Sequence, residues 1–200
     1  MHIAILTFDG FNELDSLVAL GILNRIKKPG WRVTLCCPTP EVTSMTGVTV
    51  RAQSTLEDAA SAGAVIVGSG VRTREVVDDP ALLGRLRLDP SHQLIAAQCS
   101  GTLVLARLGL LGQVPACTDL TSKPWVQAAG VEVLNQPFHA SGNVATAGGC
   151  MASPYLAAWV IARSEGLEAA TAALHDVAPV GEKDAYVANA LRRLQPYLPV

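Results

Sequence analysis

The segment Gln93-Leu94-Ile95-Ala96-Ala97-Gln98-Cys99-Ser100-Gly101-Thr102-Leu103-Val104-Leu105-Ala106 carries the residue best suited to covalent chemistry. It reads as a buried strand running straight into a helix, with a small polar tripeptide at the junction, which is the pattern of a nucleophile elbow. A side chain on such a turn projects from the carboxyl end of the sheet, where open α/β sheets bind their ligands. The free N–H groups and dipole of the following helix favour a thiolate over a thiol, so Cys99 is expected to be a reactive cysteine. Residue type alone leaves a second reading, a buried and inert cysteine, because Cys is among the most buried residues. The elbow context favours the reactive one.

The elements that must position this elbow follow from hydrophobic period. Short β-branched or apolar runs over His2–Thr7, Trp31–Cys37, Ala64–Val67 and Leu94–Ala97 predict strands buried in a sheet. Longer segments of helical period predict helices over Glu13–Ile26, Thr73–Val77, Gly101–Leu110, Lys123–Ala129, Ala152–Arg163 and Ala185–Leu194, with Asn12 as an N-cap of the first. This alternation predicts an α/β fold, a three-layer sandwich whose mostly parallel central sheet has helices on both faces, flavodoxin-like in plan. Val131–Leu134, Phe138–Ala140 and Val144–Thr146, separated by Gln136-Pro137 and by Ser141-Gly142-Asn143, predict a small antiparallel addition near residues 131–146. A length of 200 residues suits one domain over 1–200.

Composition narrows the function classes. Hydrophobic residues make up 50% and charged residues 16%, unlike a disordered chain. A formal net charge of −2 leaves no electrostatic footprint for nucleic acid or an anionic membrane. No apolar run approaches the roughly 18 residues of a membrane span. The segment Met1-His2-Ile3-Ala4-Ile5-Leu6-Thr7-Phe8-Asp9 lacks a basic stretch and meets an acid too early for an export signal, so a cytoplasmic location is expected. Five cysteines, an odd number without a C-x-x-C pair, match neither a disulfide framework nor a zinc site, and no metal is expected. Adjacent Cys36 and Cys37 must point to opposite faces of a strand, so they cannot share a site. Gly68-Ser69-Gly70 fits no phosphate loop, and taken alone it is a turn.

Four segments in order resemble the ThiJ/PfpI superfamily on the class I glutamine amidotransferase-like fold. They are Phe8-Asp9-Gly10-Phe11-Asn12-Glu13-Leu14-Asp15, Gly68-Ser69-Gly70, Gln98-Cys99-Ser100-Gly101 and Gly142-Asn143-Val144-Ala145-Thr146-Ala147-Gly148-Gly149, and the likeness covers nearly the whole chain. Within the superfamily the chain is most similar to the isonitrile hydratase branch, whose elbow is typically Cys-Thr-Gly and whose first acidic motif ends in Leu-Asp; here the elbow is Cys-Ser-Gly. The resemblance implies that Cys99 is the nucleophile and Asp15 its acidic partner, with Glu13 a second candidate. A protonated acid donates a hydrogen bond to sulfur and then shuttles a proton, whereas an ionised one raises the thiol pKa. The plainer readings are a helix-start acid for Asp15 and a solvated one for Glu13. The resemblance also implies that the N–H groups of Gly70 and Ser100 stabilise developing negative charge.

The departures matter as much. Relatives with peptidase-like or deglycase-like chemistry carry a histidine directly after the cysteine or in the next strand-to-helix loop, where this chain has Ser100 and Asp119. His2, His92, His139 and His175 are expected to be surface or structural, so a Cys-His-Asp triad and peptidase activity are not expected. Asp119 orients a substrate or shares protonation with Asp15 if it reaches the pocket, and is otherwise a helix N-cap or turn acid. Cys150, after Gly148-Gly149, is a packing residue or a resolving thiol for an oxidised Cys99; Cys117 raises the same question more weakly. The leading expectation is a lyase or hydrolase acting on a small electrophile, an isonitrile or a glyoxal-type carbonyl, without metal or organic cofactor. The alternatives are a redox or stress sensor that uses Cys99, and a ligand-binding regulatory domain. Some relatives append a DNA-binding module, for which Tyr197-Leu198-Pro199-Val200 leaves no room. A homodimer is implied by the resemblance.

Overall fold

A computed structural model describes residues 1–198. Pro199 and Val200, the end of the tail on which the argument against an appended module rests, lie outside the described residues.

The elements in chain order are β1 (His2–Leu6), α1 (Glu13–Leu23), β2 (Arg32–Cys37), β3 (Glu41–Thr43), β4 (Thr49–Arg51), β5 (Ser54–Thr55), β6 (Ala64–Val67), α2 (Thr73–Asp78), α3 (Pro80–Leu83), β7 (Leu94–Gln98), α4 (Gly101–Arg107), α5 (Lys123–Ala128), β8 (Phe138–Ser141), β9 (Val144–Ala147), α6 (Ser153–Glu165), α7 (Leu167–Val177) and α8 (Lys183–Leu194). Seven strands form one sheet in the order β5-β2-β1-β6-β7-β9-β8, and only the β8–β9 pair is antiparallel. The α/β fold with a mostly parallel sheet and a small antiparallel addition is therefore as expected.

Strand alternation divides the core. Ile3, Ile5, Ala64, Ile66, Ala96 and Cys37 face one layer, with α1, α6, α7 and α8. Ala4, Leu6, Val65, Val67, Ile95, Ala97 and Cys36 face the other, with α2, α4 and α5. Burial of both faces explains why these strands read as continuous apolar runs, and Cys36 and Cys37 do part to opposite faces.

Some boundaries and elements differ from expectation. No strand forms over Val131–Leu134; Val133 makes one isolated bridge to Ala116, and the addition is the β8–β9 hairpin alone. The first helix stops at Leu23, capped by Asn24, and α4 stops at Arg107 ahead of Gly109, which has φ 71°. A separate two-stranded sheet, β3–β4, was not expected; it pairs Glu41 with Arg51 and packs by Ser44 against Phe11 after the first strand. Neither α3 nor α7 was expected. The latter begins one residue after α6, across Gly166 at φ 91°.

Candidate active site

Strand β7 ends in Gln98, and the chain turns sharply at Cys99 into α4. Cys99 has φ 48°, the only described non-glycine residue in the left-handed region, where an L side chain costs about 1–2 kcal/mol. Backbone bonds hold it there: its N–H donates to Ala147 O at 2.8 Å, and its carbonyl accepts from Thr118 Oγ1 at 2.7 Å. The helix start sits directly on β6, since a Cβ at Gly101 would lie 2.5 Å from Val67 O. Only glycine permits that approach, so Gly101 of the motif seats the elbow against the sheet.

Asp15 reaches the same place from the first turn of α1, whose start Asn12 caps by accepting the Leu14 N–H at 3.1 Å. Its side chain has no solvent exposure. One carboxylate oxygen accepts the hydroxyl of Ser69; the other, Oδ1, is buried without a hydrogen-bond partner. Ser153 Oγ donates to the Asp15 carbonyl at 3.0 Å, tying α6 to the same turn. The third member is Cys150, half-buried just past β9, whose Sγ accepts from Asn12 Nδ2 at 3.1 Å. An Asp15 carboxylate oxygen, Cys99 Sγ and Cys150 Sγ all lie within 4.8 Å of one another.

Burial sets the protonation of this trio. It pushes the Asp15 carboxyl up from its ordinary value, against the pull of the Ser69 hydrogen bond. It also pushes the Cys99 thiol well up, and repulsion from Asp15 and Cys150 adds to it; Gln98 Nε2, 3.5 Å from Sγ, pulls weakly the other way. Cys150 is raised too, first by burial and then by Asp15. Against the helix dipole that favours a thiolate, burial and the neighbouring carboxyl therefore favour the protonated thiol. Asp15 and Cys99 act as a coupled pair.

Cys99 and Cys150 open on a cavity of about 440 Å³ lined also by Asn12, Met45, Ser69, Gly70, Val71, Ser100, Asp119, Thr121, Ser122 and Trp125, while Asp15 lies behind them, outside its lining. Among the described residues Asp119 is the one carboxylate on this wall and no cationic side chain lines it; Asp119 Oδ1 accepts the Ser122 N–H at 2.9 Å, so it is also a turn acid. Gly70 and Ser100 meet, but the Gly70 N–H donates to Ser100 Oγ at 3.2 Å, and that hydroxyl lies 2.7 Å from Thr73 Oγ1. A substrate oxygen must displace the serine hydroxyl to use the Gly70 amide.

Other candidates stand apart from the trio. Glu13 turns to the β3–β4 loop, where the hydroxyls of Ser44 and Thr46 donate to it and hold its carboxyl down at about 2. Cys117 is fully buried away from the cavity wall, and burial pushes its thiol to about 12. His2 bonds Thr34, His139 packs edge-on to Tyr197, His92 faces Asp89 and His175 faces Asp184, all away from Cys99. Three supporting residues were not singled out: Ser69, which orients Asp15; Gln98, which bridges Cys99 Sγ and Gly149 O; and Asn12, expected only to cap α1. Each lies inside a quoted motif; nearness to the thiol or the acid was the available signal for Gln98 and Asn12, and Ser69 offered only its place between Gly68 and Gly70. Donors for a metal ion converge at Asp15, Cys99 and Cys150. No described helix is long and apolar enough to cross a membrane.

Known structures share this architecture. Drosophila melanogaster DJ-1beta superposes with a TM-score of 0.77 at 20% identity, over 88% of this chain and 96% of that one. A ThiJ/PfpI family protein from Pseudomonas syringae gives 0.77 at 18% identity, over 97% and 87%. Toxoplasma gondii DJ-1, in an oxidized form, gives 0.75 at 19% identity, over 88% and 97%. At these identities the likeness is one of fold. No curated protein matches the chain. The family model for DJ-1/PfpI matches residues 1–163, a span that takes in the elbow, Asp15 and Cys150, and the chain belongs to the DJ-1/PfpI family.

Proposed function

We propose that the protein is a cysteine-dependent enzyme acting on a small, uncharged electrophile, of the isonitrile hydratase type, as one domain over residues 1–200. The observation that carries this is Cys99, with the buried Asp15 beside it, opening on a cavity that has Met45, Val71 and Trp125 in its wall and, among the described residues, no cationic side chain. An uncharged substrate with an apolar substituent suits that wall.

The raised pKa values suit the chemistry in the order thiol first. As Cys99 Sγ bonds to the isonitrile carbon, its proton passes to Asp15, which gives it to that carbon. The product is a thioimidate and Asp15 returns to a carboxylate. Water then adds, the C–S bond breaks, the thiol regains a proton and an N-formamide leaves. In a glyoxal the thiol adds to one carbonyl carbon and the proton goes to its oxygen, giving a thiohemiacetal; proton transfer from that carbon to the neighbouring carbonyl carbon through an enediol gives a thioester, which water hydrolyses to a 2-hydroxy acid and the free thiol. Neither route calls for an organic cofactor. Turnover of a panel of neutral isonitriles and glyoxals tests the reading: Cys99→Ser is expected to abolish it, and Asp15→Asn to lower kcat by about 10²-fold or more. Wild-type protein without turnover on either class overturns it.

A second reading, redox sensing through oxidation of Cys99, is favoured by the Cys150 thiol beside it and by the fold's likeness to the oxidized Toxoplasma gondii DJ-1. Peroxide oxidises Cys99 to the sulfenic acid, and Cys150 attacks it with loss of water to give a disulfide. Mass mapping of a Cys99–Cys150 disulfide after one equivalent of peroxide, without turnover of any electrophile, would favour this reading. A cytoplasmic homodimer is the accompanying expectation, and light scattering in solution tests the oligomeric state.

A further inference from the structure

We propose that Asp15, Cys99 and Cys150 form a binding site for a thiophilic divalent cation of the zinc and cadmium type, which competes with electrophiles for the nucleophile. Three chain-distant elements, the first turn of α1, the elbow and the turn after Gly149, bring one oxygen and two sulfur donors within 4.8 Å of one another. Bond lengths of about 2.3 Å to sulfur and 2.0–2.2 Å to carboxylate oxygen put tetrahedral donors roughly 3.5–3.8 Å apart, so rotation of the side chains closes the site. Two thiolates select a soft ion over magnesium or calcium.

The surroundings suit a metal site. Gln98 Nε2 and Asn12 Nδ2 donate to the two sulfurs at 3.5 Å and 3.1 Å, contacts that support thiolate ligands. The Ser69 hydroxyl fixes one oxygen of Asp15, while Oδ1 is buried without a partner, a free carboxylate ligand atom beside the thiols. Cys99 and Cys150 line the cavity, the side from which an ion and a further ligand would arrive. Binding replaces the two thiol protons by one dication, so two protons are released and the metal holds the thiol that substrate would attack. The inference does not rest on turnover.

Cadmium alone, added to the reduced full-length protein, tests it. The first equivalent is expected to raise a near-ultraviolet thiolate-to-metal band, release two protons and protect both Cys99 and Cys150 from iodoacetamide in mass mapping. Cys150→Ser, a half-buried and nearly isosteric change, is expected to weaken binding at least about tenfold with circular dichroism unchanged, and Asp15→Asn by about ten- to a hundredfold. No band at the first equivalent, or one that survives Cys99→Ala with Cys150→Ser, overturns the inference. These readouts contain no electrophile, so a failure of catalysis and a failure of this site are told apart.

Discussion

Replacing Asp15 by asparagine separates the two roles of the carboxyl, as a charge and as a proton carrier. Asp15 and Cys99 offer atoms within 4.8 Å of each other. Two unit charges at that distance repel by about 3.5 kcal/mol at an effective dielectric constant of about 20. At 1.36 kcal/mol per pKa unit, that coupling raises the last thiol titration by about 2.5 units. Asp15→Asn removes it while keeping size and polarity. In metal-free protein, the upper step in the iodoacetamide rate at Cys99, mapped by mass spectrometry against pH, is therefore expected to fall by about 2.5 units. Below that step the rate should rise by about 10²-fold or somewhat more, while turnover falls. A variant more reactive towards an alkylating agent and less active towards substrate identifies the carboxyl as a base. An unchanged or slower alkylation rate at pH 8 would refute the reasoning, because it would mean that Asp15 rests protonated and already stabilises the thiolate.

The folded-state pKa of Asp15 lies above its ordinary value of 3.8, so the folded chain binds that proton more tightly than the unfolded one. Stability should fall as pH rises from 3.8 through the folded-state value, and urea titrations of Asp15→Asn should show a flatter profile over that window. Glu13 has the opposite sign: held at about 2 against 4.5, it supports the fold above 4.5 and loses that support as pH falls towards 2. Glu13→Gln is expected to remove this acid-limb dependence and to speed hydrogen exchange in residues 44–46, with Cys99 alkylation unchanged. Gly101→Ala forces a methyl group onto Val67 O, costing about 1–3 kcal/mol. Calorimetry should show Tm lower by about 3–10 °C. Trp125→Ala opens the cavity wall and should raise KM for bulky aryl isonitriles about tenfold, while leaving methyl isonitrile nearly unaffected.

Much of the sheet was legible because its strands are buried on both sides: Ala64–Val67 and 94–97 are apolar at every position, as a strand buried on both faces should be. The three-residue strands Glu41–Thr43 and Thr49–Arg51 are too short for a period to register, and they gain order by packing against Phe11, which a local window does not contain. Helix α7 was missed because a single glycine, Gly166, separates it from α6 with no polar loop between. At the site, the motif order pointed to Cys99, Asp15, Gly70 and Ser100. What could not be read was the protonation of the thiol. The elbow tells where sulfur sits, whereas its pKa depends on which distant groups crowd it, and Asp15 and Cys150 arrive from opposite ends of the chain. Glu13 and Asp15, two positions apart in α1, diverge for a helical reason: a step of about 200° sends one to the hairpin and the other inward.

Asn12 places an unusual demand on a helix cap. Its carbonyl oxygen receives the Leu14 N–H while its amide nitrogen donates to the Cys150 sulfur. Aspartate would start α1 equally well but would show the sulfur a lone pair instead of a proton, and serine would have to serve both partners from a single, shorter hydroxyl. Glycine would tolerate the turn and offer nothing to either side. Asparagine serves the two bonds from separate atoms, and slow deamidation there would leave the helix intact while reversing the polarity felt by the second thiol. Age, as well as mutation, can rewrite that contact.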